Sequence, residues 1–351
     1  MAFLKAKKEK LNKGNIIICD CKETEVESLC DVLNSDGEKF SVNSHIANWK
    51  RTGAMSELRR YGKYFAVGFK YFLCRKKYDI IIGWQQFYVL IIGFFCSLFH
   101  VKKRNTLVAL NFTYKEKQGR LSKLYYRFMK KCLSTGYVDY IHVPSQEYAV
   151  ITSEKFQFPV EKIIVMPFGI NDPYERFSSL AHPSDELKDG YVLSIGRSNR
   201  DYDFLISAWE GISYPLVIIS DTYEGDNRGN PNVRIIRNVA GEESYPWIAN
   251  CKAMVIPLDD GTICSGDTVL LTSLAVKKKV LITVPSTLSE MYIADGENGL
   301  CVEKEKDKFR SLVNDMIFTD KYDYLHESAR ESYLKNFSRI NMGKRLKKRI
   351  F

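Results

Sequence analysis

Short apolar runs alternate with segments of helical spacing along most of the chain, and this alternation constrains the fold more than any other feature. Ile80-Ile81-Ile82 is one example, since consecutive apolar residues are typical of a strand buried on both faces of a parallel sheet. Strands that alternate with helices predict parallel sheets with helical crossovers. The other strands predicted in the first half are residues 15–19, 40–42, 106–110, 140–143 and 163–166.

The alternation is interrupted once, between residues 167 and 184, where Pro167, Gly169 and Pro173 belong to a composition typical of a linker. A second series then follows, with strands predicted at residues 191–195, 216–219, 233–236, 253–256, 280–283 and 299–302. The length of 351 residues also suggests two domains. We therefore predict an α/β fold with two doubly wound, Rossmann-like domains, residues 1–170 and 171–334. A basic tail or helix at 335–351 could pack back on the first domain.

Residues 80–101 contain no charged side chain and raise the question of a membrane span. A span needs about 20 predominantly apolar residues. Gly83, Trp84, Gln85 and Gln86 interrupt this stretch early, so we interpret it as a strand followed by a buried helix. A helix that dips into a membrane surface remains an alternative, in which Trp84, Phe87 and Phe94 would touch lipid.

Positive charge is concentrated in the first half of the chain. Residues 1–170 contain 28 basic and 15 acidic residues, whereas residues 171–351 contain 24 and 27. This excess indicates either an anionic partner or an ordinary solvated face. The basic side chains of one predicted amphipathic helix would suit anionic lipid headgroups: Arg120, Lys123, Arg127, Lys130 and Lys131. No nucleic-acid motif accompanies them, so we do not expect nucleic acid as a partner.

The nine cysteines have irregular spacing, with no CxxC pair, and the five histidines are scattered. This pattern indicates neither a disulfide framework nor a zinc site. Reduced thiols predict a cytoplasmic protein, which could lie peripherally at the inner face of the membrane.

One segment with chemical character is the predicted strand that leads into Gly196, Arg197 and Arg200. Glycine lets a ligand approach the backbone closely, and two guanidinium groups at the end of a strand can bind an anion bidentately. A diphosphate fits this charge and geometry. A solvated loop is the alternative.

A second such segment follows the predicted strand at 253–256, where Ser265, Gly266, Asp267 and Thr268 precede an apolar helix. The free N–H groups and the dipole of a helix start favour an anion. Ser265 or Asp267 could equally be a plain N-cap. Neither segment matches a dinucleotide GxGxxG or a P-loop motif, which argues against a dehydrogenase or an NTPase.

Several segments in sequence order resemble retaining glycosyltransferases of family four, which have the GT-B fold. Residues 162–171 are similar to the inter-domain hinge of those enzymes, and residues 139–145 to the strand before it. Residues 196–208 resemble the opening of their donor domain, and residues 288–291 and 295–300 their late C-terminal segment. The resemblance extends over residues 139–303. It implies a GT-B fold whose two domains face each other across a deep cleft.

The resemblance also implies roles for the domains and residues. Residues 1–170 would bind the acceptor, and residues 171–334 the nucleotide-sugar donor. Arg197 and Arg200 would be catalytic, because they would stabilise the departing nucleoside diphosphate electrostatically without a metal or other cofactor. The predicted donor-binding residues are Gly196, Arg197, Arg200, Ser265, Gly266, Asp267, Thr268, Thr272 and Asn238. His45 and Asn111 are predicted on the acceptor side.

The sequence departs from the family pattern at several positions. The family usually has two glutamates eight positions apart, where this chain has Cys264 and Thr272. The usual glycine-rich loop after the first strand is replaced by Asp20-Cys21-Lys22, and Asn111 lies where a histidine is common. In that family, the position of Cys264 addresses the sugar and the position of Thr272 addresses the ribose.

The implied function is transfer of a hexose-like unit from a nucleotide-diphosphate sugar, and the resemblance implies that the configuration is retained. The acceptor would be a glycan or a lipid-linked molecule in polysaccharide or glycoconjugate biosynthesis. Two alternatives remain open: a non-catalytic subunit that binds nucleotide sugar or glycan, and a nucleotide-sugar epimerase on the same fold.

Overall fold

The computed structural model describes residues 13–46, 53–114, 116, 119 and 122–351, apart from the side chains of residues 53 and 54. Residues up to Met166, together with Gly343–Phe351, form one compact unit, and Pro167–Met342 form a second. The sequence predicted a division at residue 170, and the units divide at Met166.

The first unit contains a six-stranded parallel sheet in the order β2-β1-β3-β4-β5-β6. Its strands are β1 (Gly14–Cys19), β2 (Phe40–Ser44), β3 (Tyr78–Gly83), β4 (Thr106–Ala109), β5 (Tyr140–Val143) and β6 (Ile163–Val165). The helices between them are α1 (Glu27–Asn34), α2 (Gly53–Cys74), α3 (Gln86–Leu98), α4 (Ser122–Ser134) and α5 (Gln146–Phe156).

The helix α3 is apolar on all sides because most of its residues lie in the core. Its N-cap is Gln85, whose side chain accepts a hydrogen bond from the Phe87 amide at 3.4 Å. Trp84 and Phe87 are only 9% and 8% exposed. The suggestion that these two side chains touch lipid is therefore wrong, since both are covered by protein. No helix within the described residues is both long enough and apolar enough to cross a membrane.

The second unit contains another six-stranded parallel sheet, in the order β12-β11-β10-β7-β8-β9. Its strands are β7 (Val192–Ile195), β8 (Leu216–Ile219), β9 (Val233–Ile236), β10 (Ala253–Ile256), β11 (Lys279–Val284) and β12 (Leu300–Glu303). Its helices are α6 (Tyr174–Ser178), α7 (Tyr202–Ala208), α8 (Tyr245–Asn250), α9 (Asp267–Ala275), α10 (Thr287–Tyr292), α11 (Lys306–Phe318) and α12 (Leu325–Ser332). A π-helical turn at Tyr333–Phe337 then leads into α13 (Arg339–Ile350).

The chain end is divided between the units, because residues 335–342 group with the second unit and Gly343–Phe351 with the first. Lys347 forms an ion pair with Asp36 at 2.9 Å and donates to the Val32 carbonyl at 3.1 Å. Gly343 lies so close to Val32 that a Cβ there would stand 3.1 Å from the valine Cβ. These contacts hold the last turns of α13 against α1.

The predicted alternation of strands and helices is confirmed in both units. The strands predicted at 140–143, 216–219, 233–236 and 253–256 have the observed bounds. The helices α6, α10 and α12 were not predicted, because α6 and α10 have only five and six residues and α12 buries only Leu325 and Ala329.

Candidate functional site

The two segments that the sequence singled out in the second half lie beside each other. The first follows β7 and the second follows β10, and these strands are paired in parallel, with Ala253 opposite Val192 and Met254 opposite Leu193. Because the strands are parallel, both loops leave the sheet at its carboxyl edge. Ligands of open α/β sheets bind at this edge.

Arg200 occupies the centre of this arrangement. A Cβ on Gly196 would stand 2.8 Å from its Nε, and a Cβ on Gly266 would overlap its Nη2 and lie 3.1 Å from its Cζ. The guanidinium therefore lies between two glycines from different loops. Gly266 also has φ +105°, which side chains of L-residues rarely adopt. The guanidinium could therefore not keep this position if either glycine carried a side chain.

Backbone carbonyls hold one side of the Arg200 guanidinium. Its Nη1 donates to the carbonyls of Ser198, Asn199 and Ser265 at 3.2–3.3 Å. Its Nε is buried and has no hydrogen-bond partner within the described residues. Burial lowers the pKa of Arg200 from its usual value, although an arginine remains protonated at neutral pH. A fixed positive charge with spare donor capacity results.

Arg197, in contrast, is exposed to solvent. Its backbone carbonyl accepts a hydrogen bond from the Thr222 hydroxyl at 2.5 Å, which ties the loop to the one after β8. Among the residues that the structure describes, none hydrogen-bonds to the Arg197 guanidinium. This side chain is therefore available to an anion.

Asn199 and Ser198, which the sequence analysis did not assign to the site, join the two loops. Asn199 has φ +55° and donates from its amide to the carbonyls of Asp260 and Ile263 at 2.9 and 3.2 Å. Its Oδ1 accepts from the Asp260 amide at 2.8 Å, and the hydroxyls of Ser198 and Ser265 are 3.2 Å apart. Asparagine tolerates the left-handed region better than most residues, which was the available sequence signal.

Gly266 is the N-cap residue of α9, and Asp267 and Thr268 form its first turn. The Asp267 carboxylate accepts a hydrogen bond from the Thr268 amide at 2.8 Å. One of the N–H groups at this helix start is therefore already bonded by Asp267 and is not free for a ligand. Burial raises the pKa of Asp267, and the Thr268 amide and Arg200 act in the opposite direction.

The start of α7 is also fixed on this edge. Asp201 is its N-cap and accepts from the Phe204 amide at 2.9 Å, and it forms an ion pair with Lys304 at 2.8 Å. The Tyr202 hydroxyl donates to the Gly196 carbonyl at 2.8 Å, and burial raises the pKa of Tyr202 to about 12. These bonds fix the glycine against which Arg200 packs.

Cys264 and Thr272 lie in different surroundings. The Cys264 thiol is 3.9 Å from the Met291 sulfur, and burial raises its pKa to about 12, so the thiol is neutral. Thr272 is 8% exposed within α9. Met291 and the exposed Glu290 line a cavity of about 490 Å³ beside α10, α12 and the π-helical turn.

Asn238 lies further from the two arginines, since it follows β9, which is separated from β7 by β8. It is exposed, with φ +63°, and its backbone N–H donates to the Asp221 carboxylate at 2.6 Å. The structure does not bring Asn238 into contact with Arg200.

The acceptor-side candidates of the first unit are also separated, because β1 and β3 lie between the strands that precede His45 and Asn111. The His45 Nε2 lies 3.3 Å from the Tyr71 hydroxyl. Burial, helped by Lys70 and Lys63, lowers the pKa of His45. Asn111 has φ +53° and donates from its backbone N–H to His142 Nδ1 at 3.2 Å.

Asp259 and Asp260 follow β10 as adjacent carboxylates. The Asp260 carboxylate accepts from the Thr262 amide and hydroxyl at 2.9 and 2.6 Å. No group of three His, Cys, Asp or Glu side chains suited to a metal occurs among the described residues. Of the basic helix, Lys123, Arg127 and Lys131 are exposed on α4, and Arg120 lies outside the described residues.

Solved structures show which fold this is. HepE from Anabaena, in complex with UDP and glucose, is similar over 96% of this chain and 99% of its own, with 14% identity and a TM-score of 0.62. Sucrose-phosphate synthase from Thermosynechococcus elongatus gives the same coverage, with 12% identity and a TM-score of 0.63. A glycosyltransferase from Rickettsia africae covers 97% and 98%, with 14% identity and a TM-score of 0.61.

The fold is GT-B. The fold prediction is therefore confirmed, and the similarity to solved structures extends over nearly the whole chain. No protein-family model matches the sequence. A comparison with curated proteins also finds no match. Within the GT-B fold, Arg197, Arg200 and the start of α9 lie at the carboxyl edge of the C-terminal sheet.

Proposed function

We propose that this chain is a glycosyltransferase that transfers a hexose-like unit from a nucleotide-diphosphate sugar to a glycan or lipid-linked acceptor. The observation that carries the proposal is Arg200, held between Gly196 and Gly266 beside the exposed Arg197. HepE, which shares the fold, was solved with UDP and glucose and also with UDP-glucose.

The chemistry needs groups that stabilise the negative charge that develops on the diphosphate as the sugar leaves it. Arg197 and Arg200 supply two guanidinium groups, and the N-terminus of α9 supplies a helix dipole. Such donors stabilise developing charge best when they are held in place before the reaction. The carbonyl contacts of Arg200 provide this for one of them.

We further propose a retaining mechanism of the family-four type without a metal or other cofactor. The acceptor would be bound by the first unit, with His45 and Asn111 as the candidate residues, in polysaccharide or glycoconjugate biosynthesis in the cytoplasm. The anomeric configuration of the product, followed by proton NMR from the first turnovers, tests retention. An inverted product would contradict it.

Donor binding tests the proposal most directly. In a thermal-shift screen, one class of nucleotide sugars should raise the melting temperature of the protein. A ligand at 100 times its Kd stabilises the native state by about 2.7 kcal/mol. Nucleoside diphosphate should then be released only when donor and acceptor are both present. A screen without any stabilising nucleotide sugar would overturn the proposal.

A non-catalytic binding subunit is a second candidate. Cys264 and Thr272 stand where the resemblance places a glutamate pair, and neither carries a negative charge, since the Cys264 thiol is neutral. Donor binding without turnover across an acceptor panel would favour this function. Release of nucleoside diphosphate without any acceptor would instead favour an epimerase.

A further inference from the structure

The helix α2 has an apolar stripe that stays partly exposed to solvent. Leu58, Phe65, Phe69 and Leu73 are spaced by seven, four and four positions, which places them on one face of a helix. All four are exposed, Leu58 by 67% and Leu73 by 60%. The opposite face of α2 supplies Tyr64, Val67 and Tyr71 to the core, so this stripe is not needed for folding.

The stripe continues over the two neighbouring helices. Phe69 lies 4.9 Å from Phe95 of α3, and Phe65 lies 5.6 Å from Phe128 of α4, between ring centroids. Leu98 and Phe99 at the end of α3 and Leu124 on α4 are each at least half exposed. Large exposed apolar patches on soluble domains mark sites of interaction. Seven exposed apolar side chains form this patch: Leu58, Phe65, Phe69, Leu73, Leu98, Phe99 and Leu124. Together with the exposed basic side chains around them, we call it the aromatic-basic face.

The charge around this face has one sign. Residues 53–134 contain 17 lysines and arginines but only three acidic residues, whereas the whole chain has a net charge of +10. Of those three, Glu57 pairs with Arg60, Asp79 with Lys13 and Glu116 with Lys155. Among the described residues, no carboxylate pairs with the exposed basic side chains of the face: Arg59, Lys70, Lys102, Arg104, Lys123, Arg127 and Lys131.

We propose that the aromatic-basic face docks this protein on an anionic lipid bilayer. Exposed aromatic and leucine side chains enter the interface between headgroups and acyl chains, while lysines and arginines pair with lipid phosphates. A second copy of the chain fits poorly, because a two-fold contact would bring the same basic residues against each other. A nucleic acid would use the basic residues but would leave the leucines exposed.

The inference refines the proposed function, since it states where the protein meets a membrane that presents a lipid-linked acceptor. It rests on surface residues of the first unit, far in sequence from Arg197 and Arg200. Docking and donor binding can therefore fail independently of each other.

Vesicle flotation tests the proposal with purified full-length protein. Vesicles of phosphatidylcholine with about one third phosphatidylglycerol should carry the protein in 0.1 M salt, and pure phosphatidylcholine vesicles should not. Salt of 0.5 M should release it, since surface charges are screened over a few ångströms at such concentrations. No flotation with the anionic vesicles would overturn the proposal.

Two variants separate the apolar and basic contributions. Lys70→Gln with Arg127→Gln and Lys131→Gln should weaken binding by about fivefold for each residue removed. Leu58→Gln with Leu73→Gln should weaken it at least about tenfold, since each leucine is a substantial apolar contact with lipid. The matched controls in the second unit are Lys188→Gln with Lys306→Gln, and Leu334→Gln, where Leu334 is 46% exposed. These controls should float like the native protein.

Circular dichroism and the donor thermal shift, measured on the same variants, show whether each one is folded and binds donor. Native-like binding of both face variants to anionic vesicles contradicts the proposal. So does self-association that only Leu58→Gln with Leu73→Gln abolishes, which would assign the face to a second copy. Oligonucleotide binding that withstands the leucine changes, without vesicle binding, would assign it to nucleic acid.

Discussion

The guanidinium of Arg200 fills the space that a side chain on Gly266 would need. The two residues belong to loops that follow different strands, β7 and β10, and the contact depends on the pairing of these strands. The arginine is thereby fixed before any ligand arrives. The predictions below test what that fixed charge does and how the surrounding groups respond.

Replacement of the arginines should reduce transition-state stabilisation. In Arg200→Ala or Arg197→Ala, the diphosphate leaving group loses one guanidinium, which should cost more than about 2 kcal/mol in kcat/KM. Steady-state kinetics with the identified donor checks this. Arg234→Ala, at an exposed arginine paired with Glu186, is the control and should leave turnover unchanged. Unchanged turnover in the Arg197 and Arg200 variants would refute their catalytic role.

Gly266→Ala should displace the Arg200 guanidinium and weaken donor binding. A flexible side chain can move away from the new methyl group, so the main cost to folding is the strained φ of +105°, about 1–2 kcal/mol. Gly229→Ala is a matched control, since its φ is +72° and a Cβ there meets nothing within 4 Å. Both variants should lose similar stability in urea unfolding. Only Gly266→Ala should lose donor affinity in calorimetry, and equal affinities would disprove the role of this glycine.

Donor affinity should rise as the pH is lowered towards the raised pKa of Asp267. Burial raises this pKa, so acid protonates a carboxylate next to the anion site and removes its repulsion of the diphosphate. Asp267→Asn keeps an oxygen for the Thr268 amide but carries no charge. It should bind donor at pH 7 at least as tightly as the native protein and show a flatter pH dependence. A steeper dependence in the variant, measured by calorimetry, would contradict this reasoning.

The stability of the first unit should fall in acid because of His142. This ring is buried, donates from Nε2 to the Met166 carbonyl at 3.0 Å and accepts from the Asn111 amide at Nδ1. Burial lowers its pKa from 6.5 to about 4, so the unfolded chain binds a proton between these values and the folded chain does not. The contribution of His142 to the free energy of unfolding should therefore be complete above pH 6.5. It should fall by about 3 kcal/mol as the pH is lowered to 4.

Chemical denaturation across pH 4–7 measures this loss. His142→Gln should flatten the pH dependence, because glutamine does not titrate in this range. His100→Gln, at an exposed histidine, should retain the native slope. If His142→Gln also retained that slope, other groups would account for the acid sensitivity.

Much of the fold could be predicted because its signals are local. Apolar runs such as Ile80–Ile82 identify buried parallel strands without reference to the rest of the chain, and the linker composition after Met166 separated the two series. The burial of Trp84 could not be predicted in this way. An aromatic side chain at a strand end suits a lipid surface or a core equally well, and the packing of the helices decides between them.

In the candidate site, too, some residues could be predicted from local sequence and others only from the fold. Gly196, Arg197, Arg200 and Gly266 were identified from residue type and position after a strand. The links through Asn199 were missed, because they join backbone groups of two loops that the sequence keeps far apart.

The sequence by itself determined the alternation of strands and helices, the two-part organisation and the concentration of positive charge before residue 170, since these follow from the order of residues. Only the tertiary structure decided that Arg200 lies between Gly196 and Gly266 and that Asp267 occupies the Thr268 amide. Arg200 and the neighbouring Ser265 are 65 positions apart in the chain. They meet because β10 pairs with β7, a choice of strand order that no local pattern of residues specifies.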